Sequence, residues 1–184
     1  MAEIVINGKT YEHLFVRGEV VGADKQLETK VSGGGGGGSS FRGTGYTAPV
    51  HISSTTTTHD MIHLVEEGGQ EHAIRLQDWD LAVRQTHQLT AIWLAKQGKT
   101  NGPYVAIHNH TLSSTEYNEQ HLAKLHRSLW ILLASLAVLL VPVSGGLRMI
   151  LMLAGLGYWW YRGIAGRRRL IASGTLLRLA GVQA

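Results

Sequence analysis

At 184 residues the chain has room for one modest domain plus an anchor, and two full catalytic domains would not fit. A net charge of +4 raises nucleic acid as a partner, yet the arginines gather at Arg162, Arg167, Arg168, Arg169 and Arg178, beside a hydrophobic stretch, which is the placement of a membrane flank. The absence of cysteine excludes a disulfide framework and thiolate chemistry.

The N-terminus lacks the basic start and long apolar run of a secretory signal peptide, so the first part of the chain is expected in the cytoplasm. Residues 1–112 are rich in Val, Ile and Thr and punctuated by glycine, the composition of strands and turns. Candidate strands cover 14–21, 27–31, 56–65, 72–76, 89–96 and 104–110. Turn signals stand at Asn7-Gly8 and over 22–25, 66–69 and 98–102. In 56–65 the alternation sets Ile62 and Leu64 on one face and His59, Met61 and His63 on the other. Residues 78–84 suit a short helix with Asp78 as N-cap. Several short strands and one helical turn predict a mainly β fold, a small barrel of the SH3-like or OB-like kind. The six glycines of 33–38 are costly to order, so 32–45 is expected to be a loose loop inserted in that domain.

Residues 113–124 are expected to link the domain to a helix that starts near Glu116 and runs on into the membrane. From Ser128 to Tyr161 the only charged side chain is Arg148, and Pro142, Val143, Ser144, Gly145 and Gly146 split the run into two arms. The prediction is an α-helical transmembrane hairpin over 125–162. Its first arm would rise about 24 Å, short of the roughly 20 residues that a spanning helix needs. A re-entrant or interfacial hairpin and a buried helical pair are the rival readings. Trp130 marks one interface and Tyr158, Trp159, Trp160 and Tyr161 the other. Lys124 and Arg127 precede the hairpin and the arginine cluster follows it, so both termini are placed in the cytoplasm, beneath a bacterial inner membrane. Residues 163–184 then form a basic cytoplasmic tail whose Leu170, Ile171, Leu176, Leu177 and Leu179 suit the inner leaflet.

No motif commits to a reaction. Gly43-Thr44-Gly45-Tyr46-Thr47-Ala48 has the letters of a dinucleotide fingerprint without the strand before it or the helix after it. Gly8-Lys9-Thr10 and Gly98-Lys99-Thr100 lack the upstream glycine of a phosphate loop and read as turns. Asp60, Asp78 and Asp80 form no acid/base pair, and Asn109-His110-Thr111 is a glycosylation acceptor in letters alone. No residue is therefore assigned as catalytic, cofactor-binding or metal-binding, and no cofactor is expected.

The leading expectation is a non-enzymatic interaction or scaffold module on a membrane anchor, with the lipid bilayer and a protein, or a second copy, as partners. A metal-binding membrane protein using His59, His63, His108 and His110 is the first alternative. A membrane-tethered nucleic-acid-binding barrel is the second, with Tyr46, Trp79, Trp93 and Tyr104 as stacking residues. Nucleic acid is disfavoured because Lys and Arg in this region are matched by Asp and Glu. No small-molecule ligand is indicated.

Overall fold

The computed structural model describes residues 2–36, 38–41, 44–47, 49–140 and 144–182, of which 38–41 and 44–47 are described by backbone alone. Strands β1 (Ala2–Ile6) and β2 (Lys9–Gly34) form a hairpin around Asn7 and Gly8, both with positive φ. That is the conformation an Asn-Gly hairpin turn requires. Strand β2 is 26 residues long, about 85 Å if fully extended, and it organises everything that follows. Its first half, Tyr11 to Glu19, pairs with β7 (Gln88–Lys96), and its second half, Glu19 to Gly34, pairs with β5 (His51–Val65).

Strand β6 (Glu71–Gln77) adds outside β5, and β8 (Tyr104–Asn109) and β9 (Ser114–Tyr117) add outside β7. The result is an antiparallel sheet in the order β6-β5-β2-β7-β8-β9, with β1 beside the start of β2. The predicted barrel is not formed: β6 and β9 remain edges, and no ladder joins them. Each leaves the sheet where closure would begin. Asp78, at φ 55°, turns the chain out of β6, and Asn118 accepts from the His121 amide to start a helix directly after β9. Asp78 is thus no helix cap, and the segment after it is irregular; its carboxylate accepts from the Thr58 amide.

The expected turn at 22–25 is a β-bulge, where the register slips between Val20 and Gly22 and the strand continues. From Leu27 and Thr58 onward, past the last pair of β5 with β6, β2 and β5 run on as a two-stranded ribbon. Gly33 and Gly34, expected in a loose loop, end β2 opposite Ile52 and His51. Gly35 and Gly36 have positive φ, and a short hairpin of β3 (Gly38–Phe41) and β4 (Thr44–Thr47) follows. Gly43 and Ala48 lie outside the described residues, but Thr44–Thr47 is strand, which removes the helix a dinucleotide fingerprint needs.

Helix α1 (Glu119–His126) is followed by α2 (Leu129–Ala137), a 3-10 turn (Val138–Leu140), the 28-residue α3 (Gly145–Ala172) and α4 (Thr175–Leu179). The helix expected to run continuously from Glu116 is broken: α1 and α2 meet at 61°, and Glu116 lies in β9. Pro142 and Val143 lie outside the described residues.

The sheet is buried on both faces near β7. Leu89, Ala91 and Ile107 pack with Val16, Val20, Ile62, Leu64, Ile74, Leu76 and Trp79 on one side. Ile92, Leu94 and Ala106 pack with Ile4, Ile6 and Tyr11 beneath Leu122, Leu176 and Leu177 on the other. Leu176 and Leu177 are therefore core residues that dock α4 on the sheet, and the inner-leaflet role expected for them is corrected.

Candidate functional site

The candidate site comprises a helical hairpin, the ribbon and a polar row on the sheet. In the hairpin, α2 and α3 approach closely at one point. A Cβ on Gly155 would lie 2.6 Å from the Ser135 Cβ; this approach buries Ser135, whose hydroxyl is satisfied by donating to the Leu132 carbonyl at 2.7 Å. Gly163 and Gly166 repeat the device against Arg127 and the His126 ring. The sequence signal was these three glycines along one helix, missed because none makes a Gly-x-x-x-Gly pair within an arm.

Away from that seam the hairpin shows large apolar side chains outward: Trp130 is 80% exposed and Leu140 86%, with Leu129, Leu133, Leu136, Ile150, Leu153 and Trp160 also exposed. Among the described residues no single helix is long and apolar enough to cross a membrane, although α1 together with Leu129–Leu140 passes as a bent pair. At the base of the hairpin the Arg127 guanidinium stacks on Trp160 at 4.3 Å and Trp159 at 4.8 Å, and Arg167 pairs with Glu119. Arg162 donates to the Asn7 side-chain carbonyl at 2.7 Å, tying α3 to the β1–β2 turn.

One face of the ribbon sets apolar side chains among hydroxyls, and no core lies beneath it among the described residues. Leu27 and Val31 of β2, at 68% and 65% exposure, share a face with Ile52 of β5, at 72%. Hydroxyl pairs Thr29–Thr56 (3.2 Å) and Ser32–Ser53 (2.9 Å) hold the two strands together. The free edges of β6 and β9 share a cleft of about 690 Å³, where Gln77 and Asp78 stand across from Glu116 and Tyr117.

The histidines divide. His59 pairs with Glu28 at 3.2 Å on the ribbon and His63 lies opposite Gly22, whereas His108 and His110 meet edge to face at 4.6 Å on the far side of β7. Register aligns Arg17, Thr90, His108 and Thr115 in one row across four strands. Thr90 bonds His110 and Thr115 bonds His108, each at 2.8 Å. Among the described residues no three His, Asp or Glu side chains gather as a metal set. Three of the proposed stacking aromatics are used in packing: Trp79 is in the core, and Trp93 and Tyr104 meet edge-on against the same cluster, while the Tyr46 side chain lies outside those described. Asn109, of the glycosylation letters, is buried and bonded to His87 and the Ala82 carbonyl.

His13 had no sequence signal of its own. It is 2% exposed, and its ring nitrogen donates to the Leu176 carbonyl at 2.9 Å. Burial holds His13, His108 and His110 below the usual imidazole value of 6.5, with Arg17 adding to burial for the last two. Below pH 6.5 the unfolded chain takes up protons that the folded one refuses, so stability is complete above 6.5 and falls as the pH drops toward the folded-state values. The thermal unfolding midpoint is expected to be flat above pH 6.5 and to decline below it. The double variant His108→Gln/His110→Gln should decline less steeply, the remainder belonging to His13 and His121. An unchanged slope in that variant would remove the pair from this role.

Comparison with protein-family models, with curated proteins and with solved structures gives no match.

Proposed function

We propose that the chain is a non-enzymatic interaction module held at a bacterial inner membrane by the α2–α3 hairpin, with both termini in the cytoplasm and the ribbon presented to a protein partner. The observation that carries this reading is the outward apolar surface of the hairpin, which no element of the chain covers among the described residues. An exposed patch of this size marks a contact with lipid or protein. Charge supports the orientation, since Lys124, Arg127, Arg162 and the 167–169 cluster share the end where α3 meets the sheet, while Arg148 alone lies near the far turn. Leu27, Val31 and Ile52, exposed on one face of the ribbon, supply the recognition surface, because a two-stranded ribbon without a core beneath it is marginal until something packs on it.

The absence of native cysteine makes the anchor testable by labelling. The full chain is expected to stay in the membrane pellet after alkaline carbonate. A single cysteine at Thr29 should react with an impermeant maleimide only after the cells are opened. Release of the chain into the carbonate supernatant would overturn the anchor. For the partner, crosslinking in cells should capture a protein that the triple variant Leu27→Lys/Val31→Lys/Ile52→Lys loses. Retention of the same partner would move recognition to the hairpin.

A further inference from the structure

Among the basic side chains at the hairpin base, two are already engaged: Arg127 stacks on the tryptophans and Arg167 pairs with Glu119. Arg162 and Arg169 are seven residues apart on α3, two turns along one helix face. Both line a groove of about 590 Å³ between α3 and β1, together with Val5, Ile6, His126, Tyr158 and Tyr161. Ala165 and Gly166 lie between the two arginines, and the His126 ring packs against Gly166 as a further wall of the groove. No carboxylate lines this groove. The cleft at Arg17 holds Glu19, Glu66 and Glu67, and the one between β6 and β9 holds Asp78, Asp80, Glu116 and Glu119. Arg162 spends one N–H on Asn7, which fixes the guanidinium and leaves other donors of its five for a ligand.

We propose that this groove binds the phosphate of an anionic phospholipid. Two arginines with no competing carboxylate recognise a phosphodiester. Tyr158 and Tyr161, which precede Arg162 on α3, continue the groove toward the apolar hairpin, where the acyl chains of a headgroup at this level would run. A free phosphate shares the charge but would gain nothing from that apolar hairpin. The inference rests on the membrane anchor proposed above.

Native mass spectrometry of the full chain in neutral detergent, titrated with phosphatidylglycerol and separately with phosphatidylcholine, tests it. One tight phosphatidylglycerol adduct is expected and no comparable phosphatidylcholine adduct. Arg169→Gln, which alters an exposed side chain, and Arg162→Gln should each weaken that adduct about tenfold, as loss of a charge-assisted hydrogen bond does. Arg168→Gln, an exposed neighbour absent from the groove lining, should leave it intact. Equal weakening by Arg168→Gln would reduce the effect to diffuse charge and overturn the site. Displacement of the lipid by an equal concentration of inorganic phosphate would make it a free-phosphate site and overturn the lipid assignment. Failure of the anchor would show independently, as release by carbonate in all four proteins alike.

Discussion

Leu176→Ala is expected to lower the unfolding midpoint in detergent by about 4 to 20 °C, the range for a loss of about 2 to 5 kcal/mol in a chain of this length. Leu176 is 1% exposed and sits with Leu177 and Leu122 over Ile92, Leu94 and Ala106, so truncation leaves a cavity between α4 and the sheet. The effect has a second source in the backbone. The Leu176 carbonyl accepts from buried His13, and a loosened α4 leaves that imidazole in an apolar site without its partner. Leu179→Ala on the same helix is the control, because Leu179 is 38% exposed and outside the cluster; it should move the midpoint by no more than about 2 °C. Equal shifts for the two variants would show that α4 is not docked as described.

Gly18→Ala is expected to cost about 3 kcal/mol or to prevent folding, although it adds one methyl group. Its Cβ would lie 2.5 Å from the Val65 carbonyl oxygen and 2.8 Å from the Val65 carbonyl carbon. Those atoms are backbone at the end of β5, so no side chain can rotate away. Gly18 stands opposite Leu89 in the ladder with β7, one residue before Glu19, where β2 pairs with both β5 and β7. The added carbon therefore prises apart the two halves of the sheet at their joint. Gly34→Ala is the matched control, since a Cβ there meets nothing within 4 Å. Circular dichroism and thermal melting of the two variants check this: wild-type behaviour for Gly34→Ala and a collapsed midpoint for Gly18→Ala are expected. A Gly18→Ala protein as stable as wild type would disprove the close approach.

Much of the sheet was legible because its signals are local. Ile62 and Leu64 face the core while His59, Met61 and His63 do not, as alternation requires. Asn7-Gly8, Gly69 and Gly98 turn with positive φ where the dipeptides indicated. Boundaries failed where a long-range partner overruled a local breaker. Gly22 looked like a turn, but pairing with His63 across a bulge carries the strand through it. The glycines at 33 and 34 looked loose, yet Ile52 and His51 supply cross-strand partners. For the candidate site, the apolar hairpin and its basic flanks were legible from composition. The groove of Arg162 and Arg169 was not, because its other wall comes from β1, far away in sequence.

The sequence by itself determined the β-rich N-terminal part, the apolar C-terminal hairpin and the arginines that border it, since hydrophobic periodicity and residue type act over a few residues. Only the tertiary structure decided three things. The sheet stays open because Asp78 and Asn118 lead the chain away from both edges before a ladder can join them. Leu176 and Leu177 turn to the core because Ile4, Tyr11 and Leu94 form an apolar face of the sheet that Leu122 covers only together with them. Arg127, Arg162, Arg167 and Arg169, alike as letters, acquire separate tasks because each meets different neighbours: an indole pair, an asparagine, a glutamate and the groove beside β1. Those neighbours come from distant parts of the chain, and burial and hydrogen bonding act between whatever the fold brings together.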